Sequence, residues 1–468
     1  MIYTSDNNTG NCIVDSEDLS NLKQIAGRHI SDLMSVDGNE LWLFPREKDH
    51  YGDKIEKEVV FTLDDNRLTT GNIMGFIGCG DTEVTIHSRF SARYENDYFM
   101  QYLLQKVFAI NIFDLNHRRS NENALDMAVL MFPYFLQKAL LQGIYREYRR
   151  IEYNDDRVRG VIDFNRHIKL NYPFRNGKVA YTTKEYRYDN SVTQLVRHTI
   201  EYIKTLKSSS FILFANEDIK AYVQAIIDAT PSYRKGDMAK VMAQNVRPKI
   251  HPYFSEYRPL QRLCIQILRH ERISYGQNSE RIHGVLFDGA WLWEEYLGIT
   301  MKKAHFDHSK NKERLGGLPV YINRTRGMIY PDYIHPLVVA DAKYKRYYRQ
   351  VENAAELGIP REDLYQMISY LHLTDRKIGI LICPRDDFED VLPLGDVKPD
   401  TSWNLMYHRF GSLEGVGGEI HVISVNIPRS CADYKSFYAK MERIESSLEW
   451  KLNRVISGED EEKEYSYA

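Results

Sequence analysis

The apolar residues of this chain do not keep one period from end to end, and that limits what it can fold into. From about residue 40 to 90, "ELWLF", "EVVFTL" and "TEVTIHSRF" alternate or cluster β-forming residues between Asp, Asn and Gly turn signals. From Asn96 to Arg149 the spacing becomes helical, in "DYFMQYLLQKVFAI" and "LDMAVLMFPYFLQKALLQGIYREYRR". Short β-like pieces return in "RVRGVIDFNRHIKLNYPFRNGKVAYTTKEYRYDN", with a turn at Asn176–Gly177, and helical spacing resumes from near Ser191 to about Arg272. Beyond residue 280 the two periods interleave, and no fixed-length repeat is evident.

A chain of 468 residues exceeds one typical core. The expectation is therefore an α+β multidomain protein: a β-rich N-terminal domain over 1–95 and a mostly helical middle region over 96–280, with a short β segment at 150–190. A C-terminal α/β domain over 281–430 follows, then a helix and acidic tail over 431–468. In the C-terminal domain "DGAWLWEEYLGITMKKA" reads as a helix that Asp288 could cap. "PVYIN", "GMIYPDYI" and "LVVADAKYK" read as three successive strands, "REDLYQMISYLHLT" as a helix, and "KIGILICP" and "EIHVISVNIP" as buried strands.

Several function classes drop out early. The glycines of "GNIMGFIGCG" suit tight turns, and no Gly-Lys-Ser/Thr follows them, so no phosphate-binding loop is expected. The five cysteines are scattered without a C-x-x-C pair, which argues for isolated thiols rather than a zinc ribbon or an iron–sulfur cluster. The polar start and the absence of a long apolar run predict a cytoplasmic chain with no membrane segment. Net charge is only −3, yet residues 301–350 hold eleven Lys and Arg against four acids, a local excess of 11 − 4 = +7. Such a segment suits a polyanion or simply a solvated basic surface.

The chemistry concentrates in "YPDYIHPLVVADAKYKR" (330–346). Alternate residues of a strand share a face, so Val339, Asp341 and Lys343 point one way and Val338, Ala340 and Ala342 the other. "IHP" can fold the chain back and bring Asp332 beside Asp341. Two carboxylates and an ammonium at one sheet edge suit metal-assisted phosphodiester hydrolysis: Asp332 and Asp341 as ligands of Mg²⁺, Lys343 orienting water or meeting the charge that grows on the phosphate. A surface hairpin with an Asp–Lys cross-pair explains the same spacing without chemistry. The neighbouring helices add context. Glu294 and Glu295 sit in "LWEEYL" amid apolar residues, where a carboxylate needs a partner, and Gln366 and Tyr370 lie one turn apart on one helix face. Lys345, Arg346 and Arg349 alternate with Tyr344, Tyr347 and Tyr348 as a phosphate-tracking surface would, with Arg324 and Arg326 in the same basic segment. His305 and His308 in "HFDH" have a metal-compatible spacing but no third ligand nearby in sequence.

The order of an acid in a first helix, P-D, D-x-K and Q-x-x-x-Y resembles the PD-(D/E)xK nuclease superfamily over residues 286–385. The resemblance implies a mixed sheet flanked by helices. It maps the superfamily's functional residues onto Glu294 (with Glu295 as runner-up), Asp332, Asp341, Lys343 and Gln366. "TTGNIMGFIGCGDTEVTIHSRF", "RVRGVIDFNRHIKLN", "YRYDNSVTQLVRHTI" and "DAKYK" are together similar to the McrC family of McrBC-type 5-methylcytosine restriction systems. That resemblance implies a Mg²⁺-dependent endodeoxyribonuclease subunit acting on methylated double-stranded DNA. It also implies an N-terminal domain that docks on a hexameric McrB-like AAA+ GTPase and stimulates it, and transient pairing of nuclease domains for two strand cuts. The alternatives are a non-catalytic adaptor bridging a motor to DNA, or the nuclease of another motor-coupled defence system.

Overall fold

The computed structural model describes residues 2–459 except 37–38, 46–54, 81, 92–96, 109–122, 207–209, 215–216, 248, 250, 274–281, 310–315, 322–326, 352–353, 387–403 and 416. The acidic tail from 460 onward therefore lies outside the described residues. The chain is mixed α+β and divides into two compact units, residues 1–113 with 278–468, and residues 114–277.

The first unit contains two principal sheets. One has the strand order Ile2–Ser5, Thr82–His87, Ile73–Cys79, Ile282–Asp288, Glu40–Phe44. Its apolar face, with Leu43, Ile73, Ile77, Val84, Ile86, Ile282 and Leu286, packs against Leu22, Ile25, Ile30 and Leu33. Ile73–Cys79 is fully buried and pairs antiparallel on both sides. This overturns the reading of "GNIMGFIGCG" as turns. Gly75 adopts φ +125°, and a Cβ there would lie 2.1 Å from the Val285 carbonyl oxygen; a Cβ on Gly284 would lie 2.4 Å from that of Phe76. The glycines let two central strands close on each other. Strand Ile282–Asp288, placed by the sequence reading in the C-terminal domain, belongs to this N-terminal sheet.

The second sheet runs Asp307–His308, Tyr333–Ile334, Val338–Ala342, Ile378–Arg385, Glu419–Asn426, Leu405–Ser412. Its central three strands are parallel and its flanks antiparallel. Helix Arg361–Thr374 crosses over between the first two parallel strands and buries Met367 and Leu371 against Val339, Leu381, Ile420 and Val422. Helix Gly289–Lys303 lies on the other face, where Trp293 Nε1 donates to the Ile382 carbonyl at 3.4 Å. The result is a mixed sheet flanked by helices. Of the three expected strands, "PVYIN" and "GMIYPDYI" form only a short ribbon, Leu318–Pro319 with Met328–Ile329, before Pro331 breaks the chain and Tyr333–Ile334 joins the main sheet.

Helix Tyr98–Phe108, read from sequence as part of the middle region, lies in this unit. Its Tyr102 and Lys106 meet the buried Glu445 of the C-terminal helix Tyr434–Ser457, at 2.6 and 3.0 Å.

The second unit is helical around a three-stranded sheet, Glu147–Asp155, Val179–Arg187 and Val161–Ile162. "DFNRHIKLN", grouped with β-like pieces on sequence, forms helix Phe164–Asn171, capped by Asp163 through the Arg166 N–H at 3.1 Å. Asn190 and Thr193 form a capping box at the start of helix Ser191–Thr205. Among the described residues no helix is long and apolar enough to cross a membrane.

Candidate active site

Asp288 ends a strand of the first sheet and immediately caps the helix that carries Glu294, accepting from the N–H groups of Ala290 and Trp291 at 3.0 and 3.3 Å. This fixes where the helix starts. Within that sheet Tyr333 pairs with Ala340 and Ile334 with Val339. Extending the register by one residue sets Asp332 opposite Asp341. The turn between them closes through the His335 N–H and Val338 carbonyl at 2.8 Å. Asp332 Oδ2 accepts the backbone N–H of Ala342 at 2.7 Å, and the charge of Asp341 acts on the Asp332 carboxyl.

Asp341 is 1 % exposed. Among the described residues no N–H donates to either of its oxygens in directional geometry; its charged neighbour is Lys343 Nζ, 2.6 Å from Oδ2. Lys343 stands one residue past the strand end and donates to Gln366 Oε1 at 2.7 Å. Gln366 Nε2 donates to the Tyr370 hydroxyl at 2.6 Å, which donates to the Tyr330 carbonyl at 3.4 Å. The relay thus returns to the segment that carries Asp332. Glu294 Oε1 lies 3.2 Å from His308 Nε2, and the Tyr333 hydroxyl donates to the Glu294 carbonyl oxygen.

Burial holds the Asp332 carboxyl well above its ordinary pKa, and the charges of Asp341 and then Glu294 push the same way. Burial also raises Asp341, against the pull of Lys343. For Lys343, burial works downward, but the Asp341 charge and contact, helped by Asp332 and Asp363, carry it above its usual value. Glu294 is a helix acid whose charge acts on Asp332, and Glu295 acts with it on the neighbouring Tyr333.

Two of the expected phosphate contacts carry ion pairs within the chain. Lys345 pairs with Asp363 at 2.9 and 3.1 Å, and Arg346 with Asp386 at 2.9 and 2.8 Å. Arg349 lies on strand Tyr348–Val351, while Arg324 and Arg326 fall outside the described residues. Tyr344 and Tyr347 are core residues, 4 % and 1 % exposed. His308 is engaged with Glu294, and among the described residues no three His, Cys, Asp or Glu side chains form a complete metal cage. Sequence reasoning passed over Asp363, a buried acid one turn before Gln366, because an acid in a helix's first turn is ordinary when solvated.

Comparison with known proteins places the chain. Its residues 68–384 match the family described as McrBC 5-methylcytosine restriction system component. Among solved structures, it is similar to a refined half-complex from a tetradecameric assembly of Thermococcus gammatolerans McrB AAA+ hexamers with bound McrC. The identity is 13 %, covering 92 % of this chain and 96 % of that one, at a TM-score of 0.46. It is also similar to the cryo-EM structure of the Thermococcus gammatolerans McrBC complex, at 14 % identity, 62 % and 82 % coverage and a TM-score of 0.29. No curated protein matches. With the family match spanning more than half its length, this chain belongs to the McrBC 5-methylcytosine restriction system component family.

Proposed function

We propose that this chain is the McrC-like nuclease subunit of a modification-dependent restriction system, a Mg²⁺-dependent endodeoxyribonuclease that works with a McrB-like AAA+ GTPase. The observation that carries the reading is the convergence of Asp332 and Asp341 on facing strands with Lys343 and Gln366 beside them. Two buried carboxylates that each favour a proton are groups awaiting a cation. If all are ionised, Asp332, Asp341, Glu294 and Asp363 against Lys343 and Lys345 leave −4 + 2 = −2, the charge that one divalent ion offsets. Asp332 and Asp341 would hold Mg²⁺, which keeps several water or phosphate oxygens and needs few protein ligands. When bound, it supplies Lewis acidity and a more acidic water. Lys343 would donate to the phosphate oxygens as charge grows there, with Gln366 and Tyr370 fixing its direction. Glu294 would flank the second side, oriented by His308.

The partner is carried over from the family. In the Thermococcus gammatolerans assembly, McrB AAA+ hexamers carry bound McrC. This chain would dock on such a ring, stimulate its GTP hydrolysis and cut methylated duplex DNA, with nuclease domains pairing transiently for the two strands. The test is cleavage of methylated and unmethylated plasmids by the chain reconstituted with the GTPase from the neighbouring gene, with Mg²⁺ and GTP. Asp341→Ala should abolish cutting while partner binding and GTPase stimulation persist; a variant that still cuts sinks the assignment. Wild-type protein that stimulates the GTPase but never cuts would make the chain an adaptor.

A further inference from the structure

Asp363 sits at the third position of helix Arg361–Thr374, three residues before Gln366, so both share the face turned to Lys343. An acid in a helix's first turn needs no explanation when solvated, because the helix dipole favours it there. Asp363 is only 3 % exposed, and a buried carboxylate costs several kcal/mol unless it is partnered. Its partners are specific. The Tyr347 hydroxyl, itself buried, donates to Oδ2 at 2.8 Å. Lys345 Nζ bridges both oxygens at 2.9 and 3.1 Å, and Lys343 Nζ lies 3.7 Å from Oδ1. Lys345 is nearly half exposed, so it could be satisfied in water without this carboxylate.

We infer that Asp363 is a positioning residue for Lys343, a proposal that rests on the nuclease reading above. With Asp341 committed to a divalent ion, the Lys343 ammonium would keep one carboxylate and one amide, Asp363 and Gln366, both on the same helix. Tyr347 and Lys345 hold the carboxylate so that its pull on Lys343 has a fixed direction. Asp363 touches neither phosphate nor metal; it acts through the ammonium.

Single-turnover cleavage by the reconstituted complex at saturating Mg²⁺, GTP and DNA tests this, with thermal melting alongside. Asp363→Asn keeps the shape and an acceptor for Tyr347 but removes the charge. Its cleavage rate should fall about tenfold or more, while the Mg²⁺ half-saturation and GTPase stimulation stay within about twofold of wild type. Asp363→Glu should recover part of the loss. In a Lys343→Met background, Asp363→Asn should cost nothing further. The inference is overturned if Asp363→Asn cuts within about twofold of wild type, if extra Mg²⁺ restores it, or if its loss is additive with Lys343→Met. Should Asp363→Asn melt below the assay temperature, Tyr347→Phe carries the same test: a loss of about threefold or more supports positioning, and an unchanged rate defeats it. A wild-type complex that fails to cut overturns the functional reading and this inference with it, whereas the Asp363 outcomes bear on the inference alone.

Discussion

Asp332 accepts the backbone N–H of Ala342, the residue after Asp341, at 2.7 Å. This bond and the Tyr333–Ala340 register hold two carboxylates opposite each other on adjacent strands. Like charges at opposing sheet positions destabilise a fold. Two unit charges about 4 Å apart at an effective dielectric of about 20 repel by about 4 kcal/mol. Burial and this repulsion both push the Asp332 carboxyl upward from its ordinary pKa, and a cation between the two carboxylates would relieve the repulsion.

Asp332→Asn should therefore separate stability from activity. The amide oxygen can still accept from Ala342, and the repulsion disappears. In chelator the melting temperature should hold or rise by about 2–4 °C, the shift that ~1 kcal/mol gives in a large domain. Mg²⁺ should stabilise the wild type and no longer stabilise the variant, and Mg²⁺-dependent cleavage should be lost. Melting curves with and without Mg²⁺ check this; a variant that Mg²⁺ stabilises as strongly as wild type would remove Asp332 from the ligand set.

The Lys343–Gln366–Tyr370 relay makes a graded prediction. Gln366→Ala removes the acceptor 2.7 Å from the ammonium and should lower the single-turnover cleavage rate about tenfold or more with little change in melting. Tyr370→Phe removes only the hydroxyl that receives Gln366 Nε2, so its loss should be smaller, about two- to fivefold. If Tyr370→Phe proved more damaging than Gln366→Ala, the relay would not run through the amide.

How far this site was legible follows from where each residue finds its partners. Asp341 and Lys343 obey the two-residue period of their own strand, and Asp332 needs only the short turn at His335–Val338 to reach them. Glu294 was visible because apolar residues surround it on its helix. Asp363 was not, since an acid in a first turn is ordinary until its burial is known. The ion pairs of Lys345 and Arg346 were not legible, because their acids, Asp363 and Asp386, lie 18 and 40 residues away. The Ile73–Cys79 strand was hidden for a similar reason: its glycines signal turns until Ile282–Asp288, some two hundred residues on, is paired against them.

Stability should carry a pH signature from Asp6. Burial lifts its pKa to about 6, despite Arg89 Nε at 3.5 Å and the Arg89 N–H donated to Oδ1 at 2.5 Å. The folded pKa lies above the unfolded value near 3.9, so the folded state binds the proton more tightly. The associated stability is present below about pH 4 and is lost as pH rises through about 6, a change of order 2–3 kcal/mol. Asp6→Asn should flatten that part of the profile, measured as the difference between wild-type and variant denaturation midpoints from pH 4 to 7. A parallel pair of profiles would contradict it.

Gly75 tests the sheet from which the Glu294 helix is launched. Its φ of +125° is one that residues with a Cβ rarely adopt, and an added Cβ would sit 2.1 Å from a backbone oxygen of the neighbouring central strand. That oxygen belongs to Val285 and cannot turn aside as a side chain would. Gly75→Ala must therefore part Ile73–Cys79 from Ile282–Asp288 or strain both, a loss well above the ~1 kcal/mol that a compatible Gly→Ala exchange would gain. Because Asp288 ends the second of these strands and caps the helix bearing Glu294, damage should reach the site as well. The expected result is a lowered denaturation midpoint together with reduced cleavage per folded molecule. Gly143→Ala is the control: it also has positive φ but open space around it, and should cost only the local backbone strain with cleavage unchanged.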